Sequence, residues 1–153
     1  MKKSDVELLE ETLGYRFTNK QLLMTALTHK TYAFEAREPL EYNERLEFLG
    51  DSILSFVIAE QLYQSNKYFS EGELTRRRAN GVNNKLLADV AKELDLGRFL
   101  LLGKGEEKQE GARNRTNLAN VLEALIGAIY LDSDLGTVRE FILEKICMKE
   151  LQL

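Results

Sequence analysis

The chain carries one cysteine, one proline and one histidine in 153 residues and has no tryptophan. A lone Cys147 cannot build a disulfide framework and no Cys/His cluster offers zinc-ligand spacing, so a reducing, cytoplasmic location is expected. Long apolar runs are also missing. The nearest, Leu118 to Leu131, falls short of the roughly 20 residues a membrane span needs, and Glu123 interrupts it, so no membrane association is expected. Met1-Lys2-Lys3 could open an export signal, but Glu7, Glu10 and Glu11 break the apolar stretch that would have to follow. Nor is there an excess of positive charge: 21 Lys and Arg against 25 Asp and Glu leave a net charge of −4. A nucleic-acid partner must therefore be engaged by something other than bulk charge.

β-branched alternation is absent as well. Leu, Ala, Glu, Lys and Arg dominate, and apolar residues recur at three- and four-residue spacing, which predicts an all-α fold in a single domain over residues 1–153. Ser4 with Glu7 forms a capping-box pattern for a first helix ending near Gly14. Thr18 or Asn19 can cap a second helix running to about Thr28, and a loop with Pro39 follows. The longest pattern runs from Tyr42 to about Gln64. Beyond it come a turn through Phe69 to Gly72, a short helix over Leu74 to Ala79, and another from Asn83 or Asn84 to Leu94, which Gly97 ends. Gly103, Gly105 and Gly111 mark a long loop. Thr116 or Asn117 can cap a buried helix to about Leu131, and a last amphipathic helix is expected over Thr137 to Leu151.

Carboxylates fall where core residues are expected. Glu44, Glu47 and Asp51 stand at i, i+3 and i+7, on one face of a helix whose same stripe continues as Leu54 and Ile58. In the apolar segment from Leu118 to Leu131, Asn120 and Glu123 stand at i and i+3 and project together. If these polar faces meet, five oxygen-bearing side chains from two helices would surround a hard cation such as Mg²⁺, with Mn²⁺ able to substitute. Gly50 and Gly127, each unfavourable inside a helix by about 1 kcal/mol, would then mark a close approach of the two backbones. The spacing alone leaves the alternative open: surface charge at Glu44, ion pairs for Glu47 and Asp51, and a satisfied polar network at Asn120 and Glu123. The basic residues of the middle of the chain cluster as Arg76-Arg77-Arg78 and as Lys104, Lys108, Arg113 and Arg115.

The run Asn43-Glu44-Arg45-Leu46-Glu47-Phe48-Leu49-Gly50-Asp51-Ser52 resembles the signature of the ribonuclease III endonuclease domain. Ala26-Leu27-Thr28-His29-Lys30 precedes it as in that family. Glu71-Gly72-Glu73-Leu74-Thr75-Arg76 resembles the family's acidic-Gly-x-Leu-Ser/Thr-Arg segment, and Leu118-Ala119 with Glu123-Ala124-Leu125-Ile126-Gly127-Ala128-Ile129-Tyr130-Leu131-Asp132 resembles its second signature. The resemblance covers nearly the whole chain. It implies an all-α, homodimeric endoribonuclease that cuts double-stranded RNA with divalent metal and water. The products are 5′-phosphate and 3′-hydroxyl ends, in the processing of ribosomal and messenger RNA precursors. Carried over position by position, Glu47, Asp51, Asn120 and Glu123 become metal ligands. Asp51 and Glu123 are the catalytic positions most sensitive to loss, and Glu44 and Glu71 support them. Arg76, Arg113 and Arg115 would meet phosphates, Phe48 would pack at the dimer interface, and His29 is expected to act structurally or at the subunit contact.

Two departures stand out. Asn120 occupies a position where the family usually has Asp, which implies a tolerated variant with a higher metal requirement, a natural loss of activity that leaves an RNA-binding scaffold, or a substitution made to trap substrate; the intact acidic positions favour the first. The family's C-terminal double-stranded-RNA-binding domain is also missing from this sequence. Binding to RNA should therefore be weak and strongly salt-dependent.

Overall fold

The computed structural model describes residues 1–147, and the helix-rich composition is realised throughout them. The helices are α1 (Lys3–Leu13), α2 (Lys20–Leu27), α3 (Lys30–Glu35), α4 (Glu44–Ser65), α5 (Glu71–Gly81), α6 (Asn84–Glu93), α7 (Lys104–Lys108), α8 (Arg115–Asp132) and α9 (Leu135–Ile142). Among the described residues the only β-type pairing is an isolated parallel bridge between Thr28 and Leu101.

The core forms around α8, which packs against α2, α4, α6 and α9. Its apolar residues have no polar face to spare: Val121, Leu122, Ala124, Leu125, Ile126, Ala128 and Ile129 are all fully buried. From α4, Leu54, Val57, Ile58 and Leu62 close over it. Truncating one such leucine to alanine removes about 2–5 kcal/mol of stability.

Capping differs in places from the sequence patterns. Ser4 lies inside α1, whose N-cap is Lys2 without a side-chain bond, so the Ser4/Glu7 box does not form. The exposed start of that helix is left to water. Asn19 rather than Thr18 caps α2, its side chain accepting from the Gln21 N–H. Ser70 caps α5 through the Glu73 N–H, which draws Glu71 and Gly72 into a helix that reaches Gly81, longer at both ends than expected. Asn114 caps α8 through the Asn117 N–H, ahead of Thr116 and Asn117. Gly97, expected to end α6, lies beyond it in a 3₁₀ turn, and the left-handed residue there is Asp95 at φ 52°. The short helices α3 and α7 replace what read as loops. The last helix starts at Leu135, capped by Asp134, and widens into a π-helical turn at Leu143–Cys147. Its expected continuation to Leu151 lies outside the described residues.

One clamp fixes the α1–α2 connection. Asp132, at the C-terminal end of α8, accepts from the Thr18 and Asn19 N–H groups at 2.8 Å each and from the Tyr15 hydroxyl at 2.7 Å. Burial would raise its pKa, but those bonds, led by Tyr15, hold it below the usual aspartate range.

Candidate active site

Helices α4 and α8 touch main chain to main chain. A Cβ on Gly50 would lie 1.7 Å from the Glu123 carbonyl oxygen, and one on Gly127 would lie 2.4 Å from the Leu46 carbonyl oxygen. Neither position can carry a side chain without parting the helices. The close approach expected from two glycines in helix interiors is therefore found, and it sets the distance between the two acidic faces.

Across that contact the carboxylates gather. Glu123 is 7% exposed, and its pKa is pushed up to about 8 by burial first, then by the Asp51 charge, a hydrogen bond with Asp51, and the Glu47 charge. Glu47, half-buried one turn before Asp51, is raised by burial and by the Glu44 and Asp51 charges, against the pull of Lys30. Asp51 and Glu44 are exposed. The acidic face is thus buried only at its α8 side, because α4 turns its N-terminal half toward solvent while Leu54 and Ile58, further along the same stripe, go inside. Among the described residues no lysine or arginine forms an ion pair with Glu47, Asp51 or Glu123, and the single pair reaching the cluster joins Lys30 Nζ to Glu44 Oε1 at 3.4 Å.

A buried carboxylate with acidic neighbours and no cation is electrostatically incomplete. It either keeps its proton or takes up a positive charge, and the donors around it, carboxylate oxygens and the half-buried Asn120 one turn before it, suit a hard divalent ion. Their side chains lie near one another without closing into a site: among the described residues no three His, Cys, Asp or Glu side chains stand close enough together to hold a metal ion.

The remaining candidates sit as follows. Glu71, exposed in the first turn of α5, accepts from the Thr75 hydroxyl at 2.9 Å. Arg76 and Arg113 are exposed and reach only neighbours on their own segments, Glu73 at 3.7 Å and Glu110 at 3.9 Å. Arg115 is the exposed first residue of α8. Phe48 is 78% exposed, so core packing is not its role. It stands at the rim of an open groove of about 1070 Å³ whose apolar lining includes Leu22, Leu40, Leu46, Leu49 and Leu131. His29 is the N-cap of α3, its Nδ1 accepting from the Thr31 N–H, which makes it a structural residue. Lys30 was not singled out in the sequence, where nothing at this separation links it to Glu44.

An all-helical domain with a carboxylate-lined site across its two central helices is the class defined so far. Residues 19–150 match the family model described as Ribonuclease-III-like, and the chain belongs to that family. It is 53% identical over 136 residues to Ribonuclease 3 of Buchnera aphidicola subsp. Acyrthosiphon pisum, covering 89% of this chain and 58% of that protein. With Ribonuclease 3 of Buchnera aphidicola subsp. Baizongia pistaciae it shares 48% over 144 residues, 94% of this chain and 61% of the relative. The chain thus spans about three fifths of the length of these curated relatives. Among solved structures, the nuclease domain of ribonuclease III from Campylobacter jejuni superposes with a TM-score of 0.89 at 38% identity, covering 100% of this chain and 99% of that one. A second structure of that domain, at TM-score 0.88 and 39% identity over 95% of this chain and 98% of that one, concerns flexibility in the region involved in its dimer formation. The family and the all-α fold expected from the motifs are both borne out.

Proposed function

We propose that this chain is a metal-dependent endoribonuclease that cleaves double-stranded RNA, leaving 5′-phosphate and 3′-hydroxyl ends. The observation that carries the reading is the buried Glu123 beside Asp51, held across a backbone-to-backbone helix contact, with no lysine or arginine among the described residues paired to it. Its Ribonuclease 3 relatives supply the substrate class, and precursors of ribosomal and messenger RNA are the corresponding duplexes.

In this reading Glu47, Asp51, Asn120 and Glu123 hold Mg²⁺, or Mn²⁺ in its place. When bound, the ion lowers the pKa of water at the scissile phosphate and offsets the charge that builds on phosphate and leaving oxygen. The residues supply the rest. Glu123 surrenders its proton to become a ligand, and Asp51, exposed and within reach of it, faces the substrate side. Glu44 beside them and Glu71 on α5 orient water and RNA. Arg76, Arg113 and Arg115 engage only loose, solvent-exposed pairs or none, so phosphates can recruit them at little loss. Such contacts read the shape of an RNA duplex rather than its sequence. Phe48 seats against a second copy of the chain, which pairs two sites, one for each strand.

The test is incubation of a long, perfectly paired RNA with the protein at low salt in Mg²⁺ or in EDTA. Fragments with 5′-phosphates are expected in Mg²⁺ only, and Asp51→Asn should abolish them. A folded protein that binds the duplex and leaves it intact at every Mg²⁺ concentration would replace this reading with a non-cleaving RNA-binding one.

A further inference from the structure

We propose that Lys30 is the resident counter-charge of the acidic site: it holds Glu44 and offsets the carboxylate cluster until a divalent cation arrives, and it thereby sets how tightly that cation is held. The inference rests on the metal-site reading above and adds a residue outside the proposed ligand set.

Lys30 is the first residue of α3, a helix with no acidic residue in its first turn. A positive charge there opposes the helix dipole, so nothing within α3 favours it. Its partner is across the fold. Lys30 Nζ lies 3.4 Å from Glu44 Oε1, with both side chains about half exposed. This is the one Lys or Arg ion pair, among the described residues, that involves Glu44, Glu47, Asp51 or Glu123. Glu44 stands one turn before Glu47 in α4, so the ammonium sits beside the acidic face rather than apart from it.

The placement is built in. The Asn43 N–H donates to the Thr28 carbonyl at 2.9 Å, which ties the residue before Glu44 to the strap leading into Lys30. The His29 N–H donates to the Leu101 carbonyl at 3.0 Å, and the Gly103 N–H donates to Thr31 Oγ1 at 2.9 Å. These bonds lock both flanks of Lys30 against the chain at 101–103. The roots of the Lys30 and Glu44 side chains are therefore fixed relative to each other, while the four-carbon stem of the lysine leaves its ammonium free to swing aside.

A fixed positive charge and an incoming divalent ion then compete for the same negative field. Half exposure screens the repulsion, and its effect on divalent-ion affinity is about three- to tenfold.

Lys30→Gln and Lys30→Arg, prepared metal-free, test this by thermal unfolding during titration with Mg²⁺ and, separately, Ca²⁺. Neither readout requires cleavage. Lys30→Gln is expected to unfold at lower temperature in EDTA and to reach half-maximal stabilisation at about three- to tenfold lower ion concentration. Lys30→Arg is expected to follow the parent protein in both respects. A Lys30→Gln titration midpoint that is unchanged or higher overturns the proposal, and reduced RNA cleavage at an unchanged midpoint does so too, because it assigns Lys30 to substrate. If the parent protein gains no stability from either ion, the metal-site reading itself fails and this inference falls with it. That outcome is visible before any variant is made.

Discussion

Replacing Glu123 by Gln should stabilise the metal-free protein, and by an amount that depends on pH. Glu123 moves from an ordinary 4.5 to about 8 on folding, so between those values the native state holds a proton that the unfolded state has lost. Its contribution to stability is fully present below the unfolded value and is lost as pH rises through about 8. At about 1.4 kcal/mol per pH unit, the shift corresponds to roughly 5 kcal/mol at most. Relaxation of Asp51 and entry of water reduce it, and about 3 kcal/mol is a realistic expectation above pH 8. Glutamine has the shape of the protonated acid and can donate to Asp51 as that acid does. Denaturant unfolding in EDTA from pH 5 to 9 should give nearly equal stabilities at the acid end and a Gln variant more stable by about 3 kcal/mol at the basic end. Added Mg²⁺ at pH 8 should stabilise the parent and leave Glu123→Gln nearly unmoved. A difference between the proteins that stays constant with pH, or a variant weaker throughout, would refute the view of Glu123 as a buried carboxyl awaiting a cation.

Other outcomes follow from the same structure. Gly127→Ala puts a methyl group 2.4 Å from the Leu46 carbonyl oxygen and should cost about 3 kcal/mol, read as a fall in Tm of about 6–12 °C. Asp132→Asn loses charge-assisted bonds to Thr18, Asn19 and Tyr15, a loss of about 1–3 kcal/mol in denaturant unfolding at neutral pH. Because the folded pKa of Asp132 is depressed, that stabilisation is present above the unfolded value and disappears as pH falls through the folded one, so the two proteins should converge in acid. Asn120→Asp adds a charge to the ligand set and should lower the half-saturating Mg²⁺ for RNA cleavage by about tenfold; an unchanged requirement would remove Asn120 from that set. Phe48→Asp should convert a dimer to a monomer in sedimentation without loss of helical circular dichroism, and an unchanged sedimentation coefficient would place the interface elsewhere.

The parts of this fold that the sequence exposes are those where one signal dominates over many residues. Helices α4 and α8 are long and strongly periodic, and Gly50 and Gly127 mark their contact through the penalty glycine carries inside a helix. The acidic cluster is legible for the same reason, as charge placed against a hydrophobic pattern. Short elements escape. α3 and α7 span too few residues for periodicity, and their caps come from a histidine ring and from Glu35, which accepts from the Lys104 N–H 69 residues away. Local patterns also mislead where competing caps sit a few residues apart, as Asn114 shows ahead of Thr116 and Asn117. Which acidic residues are buried depends on how α4 leaves α8, and no single-helix pattern contains that. The Lys30 ion pair and the Asp132 clamp are tertiary facts without any local trace.

The contact at Gly50 and Gly127 has a bearing on how such a site can be redesigned. The gauge between the two acidic faces is set by peptide groups, which substitutions away from Gly50 and Gly127 leave the same. Repacking the surrounding leucines can loosen or stiffen the domain but has no screw with which to move one row toward the other. In the proposed metal site, adaptation to a larger or smaller ion would therefore work through the side chains themselves, by shortening a glutamate, lengthening an aspartate or exchanging the amide at Asn120. The frame stays at one setting, and chemical variety at this site is confined to what side chains of different reach can do within a fixed gap.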